Sequence, residues 1–177
     1  MISEAYLKDA VLQFRKLKSQ VEKSLNQVSD PDFFRQLGPE SNSLAIIIKH
    51  MAGNMRSRWR DFLTSDGEKP DRYRDTEFEL SSDDTREAIM DRWDRGWKFL
   101  FDSVEPLKPE DLEKTIAIRG EPHTVLEAIN RQLTHYSYHL GQIAYLARHY
   151  AGDKWETLSI SKGKSDDFHR EMKDRFK

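Results

Sequence analysis

Three histidines, two on one segment and one on another, are the residues whose types and spacing could do chemistry in this chain. His135-Tyr-Ser-Tyr-His139-Leu-Gly-Gln142 lies in a segment that reads as a helix from about Thr124 to Tyr150. Four residues of an α-helix advance roughly 400°, so His135 and His139 project from one face, one turn apart. Ring nitrogens reach divalent metals at about 2.0–2.1 Å, and two imidazoles so stacked can close on a single ion. His50 is the candidate for a third ligand. Its helical neighbours Ile46, Ile47, Gly53, Asn54 and Ser57 begin apolar and turn small and polar, as expected around a cavity. Two histidines from one helix and one from another leave a position open for water or substrate, the pattern of catalytic zinc.

The other three histidines are expected at the surface. His149 follows His139 by ten residues, about 15 Å along a helix axis and too far to share an ion. His123 precedes the expected N-cap of its helix, and His169 lies in the tail. Gln142 falls on the ligand face and Asn54 lies one turn after His50. Each could orient a ligand imidazole, contact substrate, or be a hydrogen-bonded interior amide. Gly141 costs a helix about 1 kcal/mol relative to Ala, so its place beside the site points to close approach by a helix or a ligand. No residue is assigned a catalytic role beyond the candidate ligands.

Three further patterns take plainer readings. Gly163-Lys164-Ser165 resembles the end of a phosphate-binding loop, but Leu158 replaces the upstream glycine and no buried strand precedes it. Trp93 and Trp97, four apart, are expected in the core. Arg56, Arg58 and Arg60 are spread around a helix axis and followed by Asp61, which suits a solvated or ion-paired surface.

Composition narrows the functional classes. Charged residues make up 34% of the 177, but 29 basic and 31 acidic side chains leave a net charge of −2. Without a basic excess or stripe, a general nucleic-acid binder is not expected. There is no cysteine, hence no disulfide, thiolate nucleophile or thiolate metal site. No basic segment followed by an apolar one marks a signal peptide, and the apolar run Leu44-Ala-Ile-Ile-Ile48 is too short to span a bilayer. A soluble cytoplasmic protein with no membrane partner is expected.

Four amphipathic segments must position the histidines. The first, from about Ser3 to Val28, sets Leu7, Ala10, Val11, Phe14, Leu17, Val21 and Leu25 at helical spacing. After a polar break at Asp30-Pro31 and Gly38-Pro39, the second is capped by Asn42 or Ser43 and runs to about Leu63. A long connection over Thr64–Ser82 leads to a third helix that Ser81-x-x-Asp84 could cap. That helix carries Ile89, Trp93, Trp97, Leu100 and Val104 inward before Pro106 and Pro109 stop it. Thr115-Ile-Ala-Ile-Arg119 alternates and meets Gly120, which suits a short strand or hairpin arm. Thr124-x-x-Glu127 is a capping box opening the fourth helix, which Gly152 closes; a last short helix is possible from Ser165. The expected architecture is all-α: an antiparallel four-helix bundle with a long crossover between helices 2 and 3. It forms a single domain over residues 1–177, with 153–177 as a C-terminal tail packed on it.

His50 and His135-x-x-x-His139-x-Gly141-Gln142-Ile143 in this arrangement resemble the DinB/YfiT-like superfamily of metal-dependent proteins. Ile46-Ile-Ile-Lys-His50-Met-Ala-Gly-Asn54-Met, with Leu158-Ser-Ile-Ser-Lys-Gly-Lys-Ser165, is similar to one uncharacterised subfamily, and the likeness covers nearly the whole chain. The resemblance implies a four-helix bundle, frequently a homodimer, with metal on His50, His135 and His139. Relatives include thiol-dependent S-transferases and an isomerase that use a low-molecular-weight thiol.

The expected function is therefore that of a metal-dependent enzyme. Zinc or nickel would activate an external thiol against a small electrophile, since the chain has no thiol of its own. The alternatives are a metal-dependent hydrolase and a non-catalytic, metal-stabilised or stress-related binding bundle.

Overall fold

The structure, a computed structural model, describes residues 2–176. It is mostly helical: α1 Ile2–Leu25, α2 Asp30–Phe34, α3 Leu44–Trp59, α4 Arg86–Val104, α5 Val125–Ala151 and α6 Ser165–Arg175. One hairpin, β1 Thr115–Ile118 with β2 Glu121–Thr124, completes it.

Local sequence sets most of the helix starts. Ser43 caps α3 by accepting from the Ile46 N–H at 3.2 Å. Thr124 and Glu127 form the expected capping box, the Glu127 N–H donating to Thr124 Oγ1 at 3.1 Å and the Thr124 N–H to Glu127 Oε2 at 2.7 Å. Gly152, at φ 56°, ends α5.

Several expected boundaries shift. α1 ends at Leu25 and α3 at Trp59, four residues before Leu63. α4 is capped by Thr85, not Ser81; the Ser81 N–H and hydroxyl donate to Asp84 within the preceding turn instead. α2 arises in the polar break, where Ser29 caps a single turn and Pro31 sits in its first turn, a place where a missing N–H costs nothing.

The four long helices bury the stripes that their periods imply. Leu7, Phe14 and Val21 of α1, and Ile89, Trp93, Trp97 and Leu100 of α4, are interior. α3 is buried nearly all round. It packs on α4 and α5, and α1 packs on both of those as well. Phe14, Trp59, Trp97 and Tyr136, one ring from each long helix, meet at the centre with centroids 5.8–6.3 Å apart. Trp59 Nε1 donates to the Tyr136 hydroxyl at 3.0 Å, which donates to Asn54 Oδ1 at 3.2 Å, so the rings are locked to α3 and α5 by polar as well as apolar contact. Tyr136 follows His135 in sequence, and this aromatic layer is the floor of the histidine site.

The hairpin and the long α3–α4 connection are tied together. Arg119 (φ 57°) and Gly120 (φ 76°) make its two-residue turn, both in the left-handed region that such turns use. Asp66 accepts from both turn N–H groups, at 2.8 and 2.7 Å. In the tail, Glu156 exchanges hydrogen bonds with Gln27 and Trp155 packs on the core, while α6 buries none of its residues. No helix among the described residues is long and apolar enough to cross a membrane.

Candidate metal centre

α3 and α5 bring His50, His135 and His139 together, each offering one ring nitrogen, with all three atoms within 4.8 Å of one another. The Nε2 atoms of His135 and His139 are 3.0 Å apart. Nitrogens each about 2.0–2.1 Å from one tetrahedral ion would be about 3.3 Å apart, so small side-chain adjustments suffice to close the set on a metal. His149 and His169 are exposed and are not part of this cluster, and His123 sits on β2, half-buried.

Two of the three rings are turned by a fixed partner. His50 Nδ1–H donates to Glu77 Oε2 at 2.9 Å, which leaves Nε2 free. His139 Nδ1–H donates to Gln142 Oε1 at 2.8 Å, so its Nε2 faces His135. A carboxylate or amide behind a ligating imidazole selects the tautomer and raises ligand basicity. Of the two amides singled out in the sequence, Gln142 orients His139. Asn54 instead accepts from Tyr136 and lines the cavity beside His50 and His135.

Glu77 is a residue the sequence did not disclose. It lies on a 3₁₀ turn, Arg74–Phe78, in the long connection, and nothing in its local pattern distinguishes it from the other acidic residues there. Arg72 clamps both of its oxygens at 2.8 and 2.9 Å. Burial alone would raise the Glu77 carboxyl, but hydrogen bonds from His50 and Arg72 hold it below the ordinary carboxylate range, so it is ionised behind His50. Gly53 makes room for it, since a Cβ there would overlap Glu77 Oε1.

Burial disfavours the charged form of the two imidazoles on α5. Burial, then the neighbouring rings and the Arg58 and Arg72 guanidinium groups, which would repel a second positive charge, pushes His135 down to about 3. Burial also lowers His139, partly offset by its bond to Gln142. Neutral imidazole is the form that binds metal, so few protons need leave these two rings.

Two expectations need correction. Gly141 is exposed, and a Cβ on it would meet nothing within 4 Å, so no other helix of the chain approaches it closely. Arg58 is not a surface residue: it is 6% exposed, donates to the Gly67 carbonyl and to Glu68, and faces the cavity beside the histidines. Arg56 and Arg60 do pair at the surface, both with Asp71.

The family profile described as "Protein of unknown function (DUF1572)" matches residues 1–164. The chain belongs to this family. No curated protein matches it. This DUF1572 chain thus combines a histidine cluster of metal-ligand geometry with a family description that names no activity.

Proposed function

We propose that this DUF1572 protein is a metal-dependent enzyme, with zinc or nickel held by His50, His135 and His139, and that it transfers an external thiol to small electrophiles. The observation that carries the reading is the orientation of the three rings. Glu77 and Gln142 turn two of them so that free nitrogens converge, and burial keeps His135 and His139 unprotonated. A cluster that served only packing would not need two outer partners of this kind.

When bound, the ion supplies Lewis acidity that lowers the pKa of a thiol or water beside it. The chain does the rest. Three protein ligands leave room for a cosubstrate, the aromatic floor of Tyr136 and Trp59 excludes water from below, and Glu77 with Arg72 holds the His50 ring in place. The chain has no cysteine, so the thiol must come from outside.

With this reading go a DinB/YfiT-like four-helix bundle built from α1, α3, α4 and α5, a homodimeric assembly and a cytoplasmic site of action. Support for the bundle comes from the shared aromatic centre.

Metal analysis of untagged protein tests the site. About one equivalent per chain is expected, falling below about a tenth in His135→Ala. Near-zero metal in the wild type after incubation with zinc and nickel would sink the proposal. Thiol consumption with a generic aromatic electrophile then tests the reaction. Turnover with at least one thiol, lost in His135→Ala, is expected. A flat response across several thiols would leave the hydrolase and the binding protein as the better readings.

A further inference from the structure

The cavity beside the histidines has an unusual lining. It is open to solvent on one side, holds about 190 Å³ and is bounded by His50, Asn54, His135, Gln132 and five arginines: Arg58, Arg72, Arg74, Arg119 and Arg131. No carboxylate lines it. Glu68 and Glu77 approach from behind: Glu68 pairs with Arg58, Arg72 and Arg119, and Glu77 with Arg72. Two carboxylates therefore balance three guanidinium groups and leave two more uncovered. Arg131 is exposed on α5 with no ion-pair partner among the described residues. Arg74 lies over the Phe78 ring at 5.0 Å, with only the fully exposed Asp75 carboxylate near it, at 4.0 Å.

Two buried polar groups in the same wall have no partner. Arg58 Nε and Gln132 Oε1 accept or donate no hydrogen bond, although Arg58 is 6% and Gln132 3% exposed. A buried N–H left unmade costs about 1–3 kcal/mol, so such groups in a native wall call for a ligand or water. Arg58 Nε–H needs an acceptor. The Gln132 amide offers an acceptor, or a donor when turned over.

We propose that this cavity binds the anionic group of the substrate or cosubstrate, a carboxylate or phosphate held by Arg74 and Arg131 beside the Arg58 guanidinium, with the remainder of the molecule directed at His50 and His135. The volume equals that of about six waters in the liquid, room for one small anionic group. Arginine forks match the planar or tetrahedral oxygens of both anions. Uncovered positive charge in a walled cleft also concentrates anions near the site. That this anion belongs to a substrate rests on the metal-site reading above; that the cavity binds it does not.

Titration calorimetry of the full chain at low ionic strength, metal-free and with one equivalent of zinc, tests the proposal. Inorganic phosphate, malate and uncharged dimethyl malate serve as probes. Phosphate or malate should bind in both forms, and dimethyl malate should not. In Arg74→Gln/Arg131→Gln the Kd should rise at least about tenfold, equivalent to about 1.4 kcal/mol. Arg170→Gln, on exposed α6, should change nothing. Both arginines in the double variant are surface-accessible, and an unchanged Tm would confirm its fold. Which anion binds names the headgroup. Equal affinity in the double variant, equal binding of the ester, or no binding of either anion would overturn the proposal. So would a loss produced by Arg95→Gln instead, which would place the anion in the neighbouring basic groove on the α4 side of α3, which shares only Arg72 with this cavity. Anion binding without zinc binding would leave the cavity assigned and remove only the proposed reaction.

Discussion

At the scale of single residues, Glu77 governs how His50 is presented. Its carboxylate accepts from His50 Nδ1 and is itself held by two bonds from Arg72, so the ring has one orientation and one tautomer. Removing the charge while keeping the shape should weaken metal binding without removing a ligand. Glu77→Gln is expected to lower zinc affinity by about 10–100-fold, measured by competition with a chromophoric chelator, because partners behind metal-bound imidazoles contribute on this scale. An unchanged affinity would mean that His50 is not a ligand or that its orientation is fixed otherwise. Glu77 could not be read from sequence, since its role depends on a turn from the α3–α4 connection meeting the middle of α3.

Among the helices, two glycines give opposite expectations. Gly53 on α3 faces the Glu77 carboxylate so closely that any Cβ there would overlap it. Gly53→Ala should displace Glu77 and weaken zinc binding in the direction of Glu77→Gln. Gly141 on α5 has open space around its missing side chain. Gly141→Ala should therefore stabilise the fold by about 1 kcal/mol, the intrinsic helix difference, with zinc affinity unchanged. Thermal melts and chelator competition on both variants check the pair, and the reverse pattern would contradict the placement of Glu77. From sequence, Gly141 looked the more significant because it lies next to the histidines. The period of α5 turns it outward, and what lies opposite an outward residue is not a local property.

For the molecule as a whole, the α3–α4 connection is clamped to the helices it joins. The Asp84 side chain is 1% exposed and accepts from Lys49 of α3 at 2.8 Å and from Arg92 of α4 at 2.6 Å. Burial would raise its pKa, but the Lys49 and Ser81 hydrogen bonds, with Arg92, hold it far below the ordinary carboxylate range. A carboxyl depressed on folding contributes stability that is present above its unfolded pKa, about 3.9, and is lost as pH falls toward the folded value. Asp84→Asn should cost about 2 kcal/mol at pH 7, below the usual figure for a broken buried pair because both cations keep some solvent. The gap in Tm between variant and wild type should narrow below about pH 4. A gap that stayed constant to pH 3 would mean that the Asp84 charge is not the source of the effect.

The sequence alone determined whatever depends on neighbours within a turn or two. Helical period marked the buried faces of α1, α4 and α5, the Thr124–Glu127 box started α5, and the i,i+4 spacing aligned His135 with His139. These follow from backbone geometry, which repeats identically wherever the pattern occurs. The tertiary structure decided everything that needs two distant segments to meet. It brought His50 to the α5 pair, set Glu77 behind it, and turned Arg58 inward, contrary to its surface expectation. It also gathered arginines from α3, the connection, the hairpin and α5 around one cavity. Charge recognises charge through space, and in a chain with 29 basic and 31 acidic residues no local pattern says which ones will meet.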